Sequence, residues 1–404
     1  MVSIFTVIIF FFVSSSCAKS LLHKQFPVAE WPTLDGLPPL LFGHGGEKFY
    51  LPEHTTGSYK LAAIEGADYV EPDIVLTKDR IPVCFHDLAL KRSTDVEEHP
   101  EFAGLRGNHS VIIDGKDQTI IDDWLAIHFT LEELKTLRVQ QQPNGVRLQD
   151  FNELYEISTF QEFLDSIHEI SWKVGKPIGI IPEMKHPQFH NTVFNHIDHF
   201  METLVLDILR SNGYPLNPGD TANCSYNGVE MISCGPIILQ NFDKNAVRYL
   251  STVTTSPTVE LMTLIHPDVY LLTPRGFEEI ANFSDYICLW KEYMYTGVDA
   301  EIIFKEWEYD PDLVDSLGGF YNPDEFVPAA HRHGVKMTLF TIPDSRESSG
   351  RGCALECDPT NKEEEMFYYF NLGVDGMFVE NIPESSNLRM KYDYELKLAN
   401  MTGF

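Results

Sequence analysis

Basic residues are scarce in this chain. Thirty Lys+Arg stand against sixty Asp+Glu in 404 residues, a formal charge of −30. So acidic a protein repels nucleic-acid backbones and anionic membrane surfaces, which excludes both as expected partners. Any pocket for a phosphate must then be locally basic or filled by a cation. No stretch beyond the N-terminal region reaches eighteen consecutive apolar residues, so no stable membrane anchor is expected. The seven cysteines contain no CxxC spacing, which argues against a zinc site. Internal repeats, low-complexity tracts and Pro-rich linkers are absent as well, so one domain with an inserted lobe is the economical count. Core-forming material is plentiful: 43% of the chain is hydrophobic and 12% aromatic, which rules out wholesale disorder.

Residues 1–19 read as a signal peptide, with an uncleaved N-terminal anchor as the alternative. An apolar run from Ile4 to Val13 is followed by Ser14, Ser15, Ser16, Cys17 and Ala18, a length too short for a stable span. A secreted, extracellular mature chain is therefore expected, with an N-terminal arm over 20–38 and the main domain over 39–398. Loss of Cys17 leaves an even six cysteines. Cys224 and Cys234 lie in one polar connection, and Cys353 and Cys357 in another. Each couple is expected to pair, out of fifteen possible connectivities. Cys84 and Cys288 sit in apolar, strand-like runs and read as buried thiols. N-x-S/T sequons occur at Asn108, Asn223, Asn282 and Asn400.

Short apolar runs alternate with helix-period stretches along the chain. Strands are expected at 40–44, 69–76, 178–184, 236–242, 260–265, 285–290, 335–341 and 374–380. The clearest helix runs from Asn191 to Leu209, where apolar residues recur at three and four. Eight strand–helix units closing on themselves make a (β/α)8 TIM barrel. The strand ending at Leu76 is joined to Ile81–His86 by only four residues. That is too few for a parallel crossover, so the pair must be an antiparallel hairpin. From Leu88 to about Asn152 the periodicity fades, apart from a short helix at Leu131–Leu137. This stretch, about 88–152, reads as a lobe inserted after the second strand's hairpin.

Glu71 and Asp73 are two apart on a strand, so their side chains share one face. Adjacent carboxylates repel unless a cation or proton separates them. Glu183 ends another strand, with Lys185 two residues on. Three such carboxylates at strand ends are oxygen ligands suited to one Mg²⁺ or Ca²⁺. Pro72 removes a ladder donor and suggests that pairing has ended at the rim. His44 closes the first strand and His86 closes the hairpin. Phosphodiester cleavage needs one group to take a proton and another to supply one, and imidazole suits both tasks. His196 and His199, three apart on the expected helix, read as a solvated face.

At these residues the chain resembles the glycerophosphodiester phosphodiesterase family, and within it the secreted or periplasmic branch. Leu51-Pro52-Glu53-His54-Thr55 is similar to its PE(H/N)T motif. Gly66-Ala67-Asp68 through Glu71-Pro72-Asp73, with Leu76-Thr77-Lys78-Asp79, is similar to GAD-x-x-E-x-D…LTKD. Phe85-His86-Asp87 and Arg92-Ser93-Thr94-Asp95 resemble HD…R-x-T-D. Pro182-Glu183-Met184-Lys185, Leu239-Gln240-Asn241-Phe242-Asp243 and Gly373-Val374-Asp375-Gly376 resemble its later strands. The resemblance spans about Leu40 to Pro383. It implies metal-dependent hydrolysis of small-molecule glycerophosphodiesters to glycerol 3-phosphate and an alcohol. It also implies Glu71, Asp73 and Glu183 as ligands of one divalent cation, His44 and His86 as the acid–base pair, and Lys185 on the phosphate. His54 is expected to line the glycerol pocket.

Two departures stand out. The family's HRG motif reads His44-Gly45-Gly46 here, and Glu380-Asn381 replaces the usual Thr-Asp of the last strand. Lys48, Arg275 or Lys291 are candidates to replace the missing arginine on the phosphate. The departures leave two alternatives: a phospholipase D-type activity on lysophospholipids or sphingomyelin, or a binding pseudoenzyme with weakened chemistry. Oligomeric state is not set by the sequence.

Overall fold

The computed structural model describes residues 30–402, apart from 114–115, 143–146, 195, 232, 267 and 344–360. The leader-like segment, the start of the arm and the Cys353–Cys357 couple lie outside the described residues. Eight parallel strands form the barrel. They are β1 (Leu40–Gly43), β2 (Tyr69–Val70, resuming as Asp73–Leu76), β3 (Gly179–Ile180, resuming as Glu183–Met184) and β4 (Ile237–Asn241). The second half comprises β5 (Val259–Ile265), β6 (Tyr286–Trp290), β7 (Lys336–Ile342) and β8 (Gly376–Val379). Pairing of β8 with β1, in register Gly43↔Val379, closes the ring. Each strand is followed by a principal helix: α1 (Thr56–Glu65), α2 (Phe160–Val174), α3 (Phe200–Ser211), α4 (Lys244–Val253), α5 (Pro274–Ile280), α6 (Phe326–Arg332), α7 (Lys362–Leu372) and α8 (Ile382–Thr402). This is the (β/α)8 TIM barrel that the alternation of elements implies.

Period two decides what fills the barrel. Phe42, Tyr69, Ile181, Ile238, Met262, Leu264, Tyr286, Cys288 and Phe378 point inward and form a buried cluster. Their neighbours in sequence face the helices, where a second and larger apolar layer forms. Cys84 and Cys288 are both buried free thiols, as their apolar settings imply. Cys224 and Cys234 are disulfide-bonded.

Three expectations need correction. Pairing does not end at Pro72: β2 resumes at Asp73 against Glu183 of β3, and its later residues also take Pro82–Cys84 as an antiparallel partner. The prolines at 72 and 182 interrupt the two strands at matching heights. The helix expected over 191–209 is two helices, Pro187–Val193 and α3. His196 and His199 adopt left-handed backbone between them, and the Asn191 side chain accepts from the Met201 N–H at 2.9 Å in place of a helical carbonyl. The helix at 131 ends at Leu134. The stretch after the hairpin also contains an antiparallel pair, Gly107–Ile113 with Lys116–Asp123, which the sequence reading did not distinguish.

Candidate active site

The inward-facing column of each strand continues upward by two residues, and that step leads from core to chemistry. His44 follows Phe42, Glu71 follows Tyr69, Glu183 follows Ile181, Gln240 follows Ile238 and Glu380 follows Phe378. All five therefore stand on the C-terminal rim above the apolar plug. Asp73 and Lys185 extend two of the columns by one further step.

Glu71, Asp73 and Glu183 each place a carboxylate oxygen within 4.8 Å of the others, and all three are buried. Glu71 accepts from the Gly45 N–H at 3.0 Å and from Gln240 Nε2 at 2.7 Å. Burial, reinforced by Asp73 and Glu183, pushes its carboxyl well above the ordinary value. Burial acts in the same sense on Asp73, but Lys185 and His54 outweigh it and hold that carboxyl well below its ordinary value. One Asp73 oxygen, Oδ1, is buried without a hydrogen-bond partner among the described residues. A buried, unpartnered carboxylate oxygen beside two further carboxylates suits a hard divalent cation, so this donor set fits the expected metal.

A cavity of about 300 Å³ opens over this cluster, lined by His44, Glu71, His86, Asp87, Glu183, Lys185 and Gln240, with Phe242, Phe340 and Phe378 as an apolar wall. Lys185 Nζ lies 2.9 Å from Glu183 Oε1. Burial disfavours its charge, yet Glu183 and Asp73 more than offset this and raise its pKa, so it remains a cation. His86 Nδ1 is 2.6 Å from Asp87 Oδ1, and Asp87 is in turn bound by Arg92. Burial and the neighbouring Lys185 lower the His86 pKa. His44 Nδ1 is 3.2 Å from Glu380 Oε1, and its Nε2 lies 3.8 Å from Glu71 Oε2. Burial, with Lys48 nearby, brings the His44 pKa down to about 4. A wider groove of about 750 Å³ shares Phe242 and Leu264 with this cavity. It lacks the carboxylate cluster and both of these imidazoles, so the smaller cavity is the candidate reaction centre.

The structure thus brings together His44, His86, Glu71, Asp73, Glu183 and Lys185, and it relocates two expected site residues. His54 does not line the pocket. It is buried behind the carboxylates, with Nε2 3.1 Å from Asp73 Oδ2 and Nδ1 3.1 Å from the Tyr59 hydroxyl. Lys48 does not replace the missing arginine on the phosphate either. Its Nζ is buried against Glu380 at 2.8 Å and Glu53 at 3.7 Å. Arg275 is exposed and paired with Glu278, and Lys291 is buried against Glu365, so neither serves the site. A side chain at 45 would also be tightly fitted and on strained backbone. Gly45 has φ +65°, and a Cβ there would meet Glu53 Cβ at 3.2 Å and His54 Nε2 at 3.3 Å.

Three residues of the motif matches, and one outside them, have roles that the sequence did not assign. Gln240 clamps Glu71, Glu53 and Arg92 extend the ion network, and Arg147 reaches Glu380 Oε2 at 2.7 Å. Gln240 occupies an inward column, and that period-two position is the signal that identifies it. No comparable pattern marks Arg147.

Fold and site together define a (β/α)8-barrel protein with two histidines, a lysine and a carboxylate trio gathered on its C-terminal rim. The profile of the glycerophosphoryl diester phosphodiesterase family matches residues 44–384, and the chain belongs to that family. It is 28% identical over 375 residues to the glycerophosphodiester phosphodiesterase GDPD6 of Arabidopsis thaliana, covering 91% of each chain. It is 32% identical over 175 residues to a glycerophosphodiester phosphodiesterase of Haemophilus influenzae, covering 43% of this chain and 46% of that one. A crystal structure of a glycerophosphoryl diester phosphodiesterase from Silicibacter pomeroyi shares the fold. Its TM-score is 0.56 at 15% identity, covering 90% of this chain and 98% of that one.

Proposed function

We propose that this protein hydrolyses glycerophosphodiesters to glycerol 3-phosphate and an alcohol, with His44 and His86 as the acid–base pair. The observation that carries this reading is the single cavity lined by both imidazoles, Lys185 and two carboxylates of the buried trio. Glu71, Asp73 and Glu183 would hold one Mg²⁺ or Ca²⁺, which when bound supplies Lewis-acid polarisation of phosphoryl oxygen. Lys185, fixed by Glu183, offsets the negative charge of the phosphodiester. Burial lowers the proton affinity of both imidazoles, which favours the proton-accepting form of each. An anionic substrate raises the proton affinity of the imidazole beside it, so one ring becomes the donor to the departing alcohol while the other takes the proton of the attacking group. The phenylalanine wall limits water around both transfers. Neither the phospholipase D-type reading nor the pseudoenzyme reading gains support from the relatives.

The test is release of glycerol 3-phosphate from glycerophosphocholine in the presence of Mg²⁺ or Ca²⁺. His44→Ala and His86→Ala are each expected to lower kcat about 10²–10⁴-fold. Absence of product with the cation demonstrably bound would overturn the reading. Export is proposed on the apolar run Ile4–Val13 and on the Cys224–Cys234 disulfide. Recovery of the chain inside expressing cells, with its N-terminal nineteen residues intact, would contradict it.

A further inference from the structure

Glu380 stands where the resembling family usually carries threonine. The β1–β8 register pairs Gly43 with Val379, so the next residue on each strand, His44 and Glu380, leaves the rim side by side. Glu380 Oε1 lies 3.2 Å from His44 Nδ1 and 2.8 Å from Lys48 Nζ. Glu380 Oε2 lies 2.7 Å from Arg147 Nη2. All three partners of the imidazole network, Lys48, Arg147 and Glu380, are less than one-tenth exposed. Arg147 arrives from the stretch inserted between β2 and α2, 233 residues away from Glu380 in sequence.

This geometry constrains the imidazole. A carboxylate flanked by two cations is held ionised and can only accept hydrogen bonds. The proton on His44 must then sit on Nδ1, which leaves Nε2 as a bare lone pair on the Glu71 side, at the cavity that His44 lines. Orientation of a reacting histidine through its other nitrogen is a general device for fixing tautomer and ring angle. A purely structural ion cluster has no need to end on an imidazole that lines the reaction cavity.

We propose that Glu380 is a positioning residue for His44, and that the inserted lobe completes the active site by supplying Arg147 to hold Glu380. The inference rests on the phosphodiesterase reading for its kinetic consequence, but not for its geometry. It assigns a purpose to the lobe and to both departures from the family motif. With glycine at 45, the guanidinium of this site enters from the lobe and acts on Glu380.

The experiment compares wild type with Glu380→Ala, Glu380→Gln and Arg147→Met. kcat and KM are measured on glycerophosphocholine with Mg²⁺, and ¹⁵N-histidine NMR reports the His44 tautomer. Glu380→Ala is expected to lower kcat roughly 10²–10³-fold with KM changed less than about threefold, and to abolish the fixed Nδ1–H tautomer. Glu380→Gln keeps a carbonyl acceptor, so it is expected to retain the tautomer and lose only about tenfold in kcat. Arg147→Met is expected to fall between these two. A Glu380→Ala variant with wild-type kcat, or a wild-type His44 protonated on Nε2, overturns the proposal. So does a fall in melting temperature with both kinetic constants unchanged. If Glu380→Ala does not fold, the other two variants decide the matter by the same criteria. If wild type turns over no glycerophosphodiester, the activity reading fails, and the tautomer comparison alone decides the positioning claim.

Discussion

Replacing Glu71 by glutamine separates the two tasks that the structure gives this side chain. Without a cation, its carboxylate faces those of Asp73 and Glu183 within 4.8 Å. At an effective dielectric of about 20, one like-charge neighbour at that distance costs about 3 kcal/mol. Lys185 offsets part of this, because it is bound to Glu183. The raised proton affinity of Glu71 already relieves most of this repulsion, and a glutamine amide cannot accept from both Gly45 and Gln240, so metal-free Glu71→Gln should melt within about 1–2 °C of metal-free wild type. Cation binding separates the two proteins. A ligand at one hundred times its Kd stabilises by about 2.7 kcal/mol, which for a chain of 404 residues is a rise of roughly 3 °C. Wild type should show this rise with Mg²⁺ or Ca²⁺, and Glu71→Gln should show little of it. Differential scanning fluorimetry in chelator and in cation measures all four states. Metal-free Glu71→Gln melting several degrees below wild type, with equal cation response in both proteins, would refute the reasoning.

Two further predictions rest on the loop that follows β1. Glu47 is fully buried, and burial, with Glu65 nearby, raises its pKa to about 8 although the Ile382 N–H opposes the shift. A carboxyl raised above its unfolded value stabilises fully below about pH 4.5, and that contribution is lost as pH rises through 8. Glu47→Gln should therefore flatten the fall in stability across this window, with a gain on the order of 3–5 kcal/mol above pH 8. Urea melts at pH 5 and pH 8.5 check this, and parallel slopes for both proteins would count against it. Gly46 has φ +87°, and a Cβ there would lie 2.7 Å from the Ser58 carbonyl carbon. Gly46→Ala should cost about 1–3 kcal/mol and lower kcat by displacing His44, measured by urea melts and initial rates.

Much of the site follows from period two alone. Once Phe42, Tyr69, Ile181 and Phe378 are placed on the inward face, the residue two places on is directed to the rim, and those residues are His44, Glu71, Glu183 and Glu380. The antiparallel return at Pro82–Cys84 was equally legible, because four connecting residues permit nothing else. What stayed hidden depends on contacts between distant segments. Arg147 lies in a polar stretch without periodicity, and its partner Glu380 is 233 residues away. Strand Lys116–Asp123 is mostly exposed on both faces, so it lacks the polar–apolar alternation that reveals a half-buried strand. The break between Pro187–Val193 and α3 arises from the Asn191 side chain satisfying Met201, a hydrogen bond that overrides an otherwise continuous apolar stripe. His54 carries the family's motif pattern, yet its ring is drawn inward by Asp73 and Tyr59.

The central claim is that three buried carboxylates from two strands converge on one cation beneath the histidine pair. Anomalous diffraction from crystals equilibrated with Mn²⁺ tests it most directly. A single strong peak bonded to Glu71, Asp73 and Glu183 together is the predicted result. A peak elsewhere on this acidic surface, or none at saturating Mn²⁺, would contradict the account.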